Sequence, residues 1–121
     1  MTVTERPPFD LTATEENGHL VLHLKGRLMD QQQADTLMST LDAQLAKGHK
    51  QVVLDLSELQ YMNSSGLNIL INVLNRTRAN GGDTLIAAAS QSVRQLFLVT
   101  KLDTVFIMTA SVPEALAKLA S

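Results

Sequence analysis

The sequence contains no cysteine and no tryptophan, and three phenylalanines with one tyrosine make up its 3% of aromatic residues. Without cysteine there is no disulfide framework, no thiolate zinc or iron–sulfur site and no thiol nucleophile. So few aromatics leave no stacking platform for bases or sugars, and a core must be built from Leu, Val, Ile, Met and Ala. No apolar run approaches the ~20 residues of a membrane span. The start, Met1 to Pro8, lacks the basic and apolar stretches of a signal peptide, so a cytoplasmic protein is expected. Charge of one sign is lacking too. Ten Lys and Arg against twelve Asp and Glu give a net charge of −2, with no basic footprint for nucleic acid. What is present, 121 residues of which 45% are hydrophobic and 18% charged, fits one domain with one core. Pro7-Pro8 closes a polar start, which predicts a flexible leader over 1–8 and a domain over 9–121.

Phe9, Leu11 and Ala13 alternate with polar residues, and Leu20, Leu22 and Leu24 resume the alternation after Asn17-Gly18. An Asn-Gly pair accepts the positive φ of a tight hairpin turn, so these segments predict a β-hairpin, with Gly26 breaking its second strand. Ala34, Leu37, Met38, Leu41 and Leu45 recur at helical spacing, predicting a helix over 31–47 that Gly48 closes. Val52-Val53-Leu54 reads as a short buried strand, broken by the turn-forming Asp55-Leu56-Ser57. A helix over 65–80, a strand over 84–88, a short helix over 92–99 and a strand over 105–108 follow. Ser111 with Glu114 forms a capping box that opens a last helix, with Pro113 in its first turn. The order ββαβαβαβα predicts an α/β class: a mixed, mostly parallel sheet with an opening antiparallel hairpin and helices packed against it.

Chemistry is scarce along this chain. His19 and His23 lie four strand residues apart, roughly 13 Å, too far to ligate one metal ion. No zinc-protease, phosphate-loop or dinucleotide motif is present. No catalytic residue, metal, cofactor or small-molecule substrate is expected. The informative segment runs from Asp55 to Leu67, from a buried strand through a loop into a helix. Ser64 and Ser65 place hydroxyls at that helix start, where unpaired backbone N–H groups and about half a positive charge favour an anion. One of them can equally be a plain N-cap. Asn68, Asn72 and Asn75 fall on one line of the densely apolar helix that follows, as a solvated face or as a neutral surface for a partner.

Here the sequence resembles the STAS domains, and within them the bacterial anti-sigma factor antagonists. The family pattern, Asp-Leu-Ser and then Asp-Ser-Ser/Thr-Gly-Leu opening a helix, stands as Asp55-Leu56-Ser57 and Asn63-Ser64-Ser65-Gly66-Leu67. The resemblance spans nearly the whole chain from Phe9 and includes Gly26-Arg27-Leu28. It implies that Ser64 is phosphorylated by a partner that is both serine kinase and anti-sigma factor. The unmodified protein would bind that partner and release the sigma factor, the modified protein would not, and a serine phosphatase would reset it. With the Asn68, Asn72 and Asn75 line read from helical spacing, the expected contact surface comprises Asn63, Ser64, Ser65, Gly66, Asn68, Asn72 and Asn75. Two departures stand out. Asn63 replaces the usual Asp, and Met29 fills the place of the Asp in Gly-x-Leu-Asp, with Asp30 one residue later as a partner contact or as the N-cap of the first helix. The alternatives are a STAS adaptor subunit of a lipid-transport or sensory assembly, in which Ser64 merely caps, and a phosphate-handling enzyme built on the same helix start.

Overall fold

The computed structural model describes residues 9–120, and the leader predicted over 1–8 lies outside the described residues. Five strands, β1 (Phe9–Glu16), β2 (His19–Leu28), β3 (Gln51–Met62), β4 (Asp83–Ala87) and β5 (Ile107–Thr109), form one sheet in sequence order. β1 and β2 are antiparallel and every other pair is parallel. The helices are α1 (Gln31–Ala46), α2 (Ser64–Ala79), α3 (Gln91–Val99) and α4 (Val112–Ala120). The element order is therefore the expected one.

The pleat explains the layers. Leu20, Leu22 and Leu24 of β2 join Val52, Leu54 and Leu56 of β3 on one face, where they pack with Leu37 and Leu41 of α1, Leu70 and Val73 of α2 and Phe97 of α3. The intervening Val21 and Val53, with Leu85 and Ala87 of β4, turn to the other face and meet Ala115 and Leu116 of α4. Two hydroxyls inside this core satisfy each other, Thr77 Oγ1 and Thr84 Oγ1 at 2.7 Å. The hairpin turn takes the predicted form, with φ of 54° at Asn17 and 81° at Gly18.

Several sequence expectations are corrected. Gly26 does not end β2: with φ of +89° it allows a bulge, and the strand continues to Leu28. Asp55-Leu56-Ser57 does not end β3 either. Its turn chemistry is spent on a local bond, Ser57 N to Asp55 Oδ1 at 3.0 Å, inside a bulge where His23 to Lys25 face Asp55 to Glu58. The strand predicted over 105–108 begins only at Ile107, because Leu102–Thr104 form a 3-10 turn that seats Phe106 edge-on against Phe97, with centroids 5.4 Å apart. α4 starts as read, the Glu114 amide donating to Ser111 Oγ at 3.2 Å, but the Glu114 carboxylate accepts from the Ala110 amide instead of closing the box on Ser111.

Candidate functional site

The first helical turn after β3 is set by a glycine. Met62 ends β3 paired with Leu28, and α2 must start where its backbone passes the Leu28 carbonyl. A β-carbon on Gly66 would overlap that carbonyl and stand 2.7 Å from Met62 Cγ, so only glycine fits. Fixing Gly66 as the third helical residue makes Asn63 the cap. Asn63 is extended, with φ of −100° and ψ of −172°, its Oδ1 accepts the Gly66 amide at 2.8 Å, and its carbonyl accepts the Leu67 amide at 2.9 Å. The expectation that Ser64 or Ser65 caps is thereby corrected. Asn and Ser cap about equally well, and the position of Gly66 decides which of them is in place.

Ser64 and Ser65 become the first two helical residues. Both are exposed, and neither hydroxyl has a hydrogen-bond partner among the described residues. Their backbone N–H groups are donors that no helical carbonyl can satisfy, at the positive end of a sixteen-residue helix. Further along, Asn68, Asn72 and Asn75 are exposed while Leu67, Ile69, Leu70, Val73 and Leu74 are buried, so the amide line faces solvent. Asp30 caps α1. It accepts the Gln33 amide at 3.0 Å, and the Asp30 amide in turn donates to Gln33 Oε1 at 3.1 Å, a complete capping box.

The parallel strands bring these helix starts to one edge. α1, α2 and α3 all follow the carboxyl ends of their strands, so Asp30, Asn63 and Ser90, the cap of α3, share that edge. Between the start of α2 and α3 lies a groove of about 410 Å³ bounded by Tyr61, Met62 and Ser64 on one side and Val93, Leu96 and Val99 on the other. It is lined by no carboxylate, imidazole, amine or guanidinium, so it offers no general acid or base of ordinary pKa near neutrality. Among the described residues no group of three His, Asp or Glu is placed to hold a metal ion.

Sequence reasoning missed a polar relay on the sheet face that carries α4. His23 Nδ1 lies 2.6 Å from Asp55 Oδ2, and its Nε2 lies 2.9 Å from Thr14 Oγ1, tying β1, β2 and β3 together. Burial alone would raise the Asp55 pKa, but the bonds from the Ser57 amide and from His23 outweigh it and hold the carboxyl below its usual range. Register was the missing signal, since His23 and Asp55 are direct partners in the β2–β3 pairing. The stacking of Arg27 over the Tyr61 ring at 5.3 Å was missed for the same reason.

A match to the STAS domain model extends over residues 10–115, through all five strands and into α4. The chain belongs to the STAS domain family. This STAS domain is 31% identical over 96 residues to BtrV of Bordetella bronchiseptica, named as a candidate anti-sigma factor antagonist, covering 79% of this chain and 82% of that one. A crystal structure of an anti-sigma factor antagonist from Mycobacterium paratuberculosis superposes with a TM-score of 0.81 at 23% identity, covering 93% of this chain and 95% of the other. The anti-sigma factor antagonist SpoIIAA has the same fold in both of its forms. The unphosphorylated form gives a TM-score of 0.74 at 23% identity over 93% of this chain and 96% of its own. The phosphorylated form, from Bacillus, gives 0.69 at 20% identity over 92% and 98%.

Proposed function

We propose that this STAS domain is a non-enzymatic anti-sigma factor antagonist switched by phosphorylation of Ser64. The observation that carries the reading is the division of labour at the start of α2: Asn63 caps, leaving the exposed Ser64 hydroxyl with no structural task. A plain adaptor needs no free hydroxyl there, whereas a phosphorylation site needs one that a second protein can reach. The relatives named anti-sigma factor antagonists support this choice of function, and SpoIIAA, solved in both forms, supports the idea that the fold accommodates the mark.

The partner is an anti-sigma factor that is also a serine kinase. In the step it performs, Ser64 Oγ attacks the γ-phosphorus of ATP, the Oγ–P bond forms as the bond to ADP breaks, and the hydroxyl proton passes to a base on the kinase. The base belongs to the kinase because the groove beside Ser64 has none. The product carries close to two negative charges beside the unpaired N–H groups of Ser64 and Ser65, which favour it, so the fold tolerates phosphorylation. Binding changes instead. Gly66, expected as a partner contact, is buried against Leu28 and shapes the site from beneath, so Asn63, Ser65 and the Asn68, Asn72, Asn75 line present the neutral surface, with Asp30 at the same edge, and a dianion in its midst imposes desolvation and repulsion on a partner shaped for the unmodified state. The unmodified protein holds the anti-sigma factor and frees the sigma factor, and a serine phosphatase restores that state.

Incubation with the cognate kinase and ATP followed by peptide mass mapping tests the assignment. One phosphate on Ser64, absent from Ser64→Ala, is expected, and phosphate on another residue or on none overturns it.

A further inference from the structure

The groove beside Ser64 is more than the place where a kinase reaches a hydroxyl. Its floor is Met62 and Val93, both buried, and its α3 wall ends in Val99, which is 64% exposed. Tyr61 forms the opposite rim and is 45% exposed, so both sides of the groove present apolar surface to solvent. Asn63, Ser64, Ser92 and Gln95 add neutral polar groups to this lining, and pockets of a few hundred Å³ that combine apolar surface with a few polar groups are where interfaces seat their anchor side chains. A fixed charge stands beside this rim. Arg27, exposed, stacks on Tyr61, so a cation borders a groove that is itself uncharged.

We propose that this groove receives an apolar anchor side chain of the anti-sigma partner, flanked by a carboxylate that meets Arg27. The proposal rests on the phosphoswitch reading and adds how the switch is read. Ser64 is part of the groove wall, so a partner that reaches its hydroxyl covers the groove in the same contact. Charge decides the chemistry of the occupant: an apolar side chain seats on Met62, Val93, Leu96 and Val99 while Asn63, Ser92 and Gln95 keep their polar groups at its margin, and an acid beside it complements the Arg27 guanidinium. A phosphate on Ser64 then acts on the anchor, because it hydrates the rim of an apolar seat and sets a dianion near the partner's carboxylate.

Two neighbouring residues of α3 allow a clean test. Val99 lines the groove and Leu98 does not, yet both are exposed, at 64% and 56%. The anti-sigma factor kinase bound by the unmodified protein is titrated calorimetrically, without ATP, against the wild type, Val99→Asp, Leu98→Asp, Arg27→Glu and Ser64→Asp. The groove predicts that Val99→Asp weakens binding by about 30-fold or more, as loss of an anchor does, while Leu98→Asp stays within about twofold. Arg27→Glu is expected to weaken binding and to remove part of its salt dependence. Thermal melts of the two α3 variants serve as the folding control and should match the wild type. If Val99→Asp binds like the wild type, the groove is overturned, and loss of binding by Ser64→Asp still upholds the switch. If Ser64→Asp binds normally while Val99→Asp fails, the switch falls and the groove stands. Self-association of the wild type that Val99→Asp abolishes would give the groove to a second copy of this chain and overturn the proposal.

Discussion

Asn63 Oδ1 accepts the amide of Gly66 at 2.8 Å, and this one bond releases the adjacent Ser64 from capping α2. Asn63→Ala should therefore cost about 1 kcal/mol, the usual loss of a cap. Ser64→Ala, at an exposed position without a partner, should stay within about 0.5 kcal/mol of the wild type. Urea denaturation of the two variants checks the pair. The reverse ranking would mean that Ser64 is the cap and that its hydroxyl is not free.

Gly66 carries the second prediction. Gly66→Ala places a methyl group into the Leu28 carbonyl and against Met62, and backbone has to move to accept it. We expect a loss of about 1–3 kcal/mol, although alanine is ordinarily the better helix former. Because α2 would shift relative to β2, phosphorylation of Ser64 should slow as well. Equilibrium unfolding together with a kinase progress curve measures both effects.

Acid tests the relay under the hairpin. The folded-state pKa of Asp55 lies below its unfolded value of about 3.9, so its contribution to stability is present above that value and lost as pH falls through the lower folded one. The wild type should lose stability more steeply than Asp55→Asn as pH drops below about 4, measured by urea denaturation across that range. At neutral pH His23→Ala should destabilise, since it strips Asp55 of a partner at 2.6 Å and unlinks β1 through Thr14.

Much of this was legible in the sequence because period and turn chemistry agree in it. Leu20, Leu22 and Leu24 alternate, Leu37 and Leu41 sit a helical turn apart, and Asn17-Gly18 and Gly48 stand where positive φ is required, at 54°, 81° and 100°. What failed were local signals overruled by pairing. Asp55 and Ser57 favour turns, and Gly26 favours a break, but parallel pairing along β2 and β3 extends both strands and converts those preferences into bulges. The same pairing hid the His23 to Asp55 bond, whose members are 32 residues apart. At the site, the Asn-Ser-Ser-Gly run was readable as a helix start, but not which residue caps it. That depends on the clearance between Gly66 and Leu28, a contact between distant segments that spacing does not reveal.

The most direct test of the account is the affinity of the anti-sigma factor kinase for the unmodified protein and for protein phosphorylated stoichiometrically at Ser64, measured in the same buffer. A loss of about 3 kcal/mol or more, over a hundredfold in dissociation constant, is predicted. Equal affinities for the two forms would contradict it.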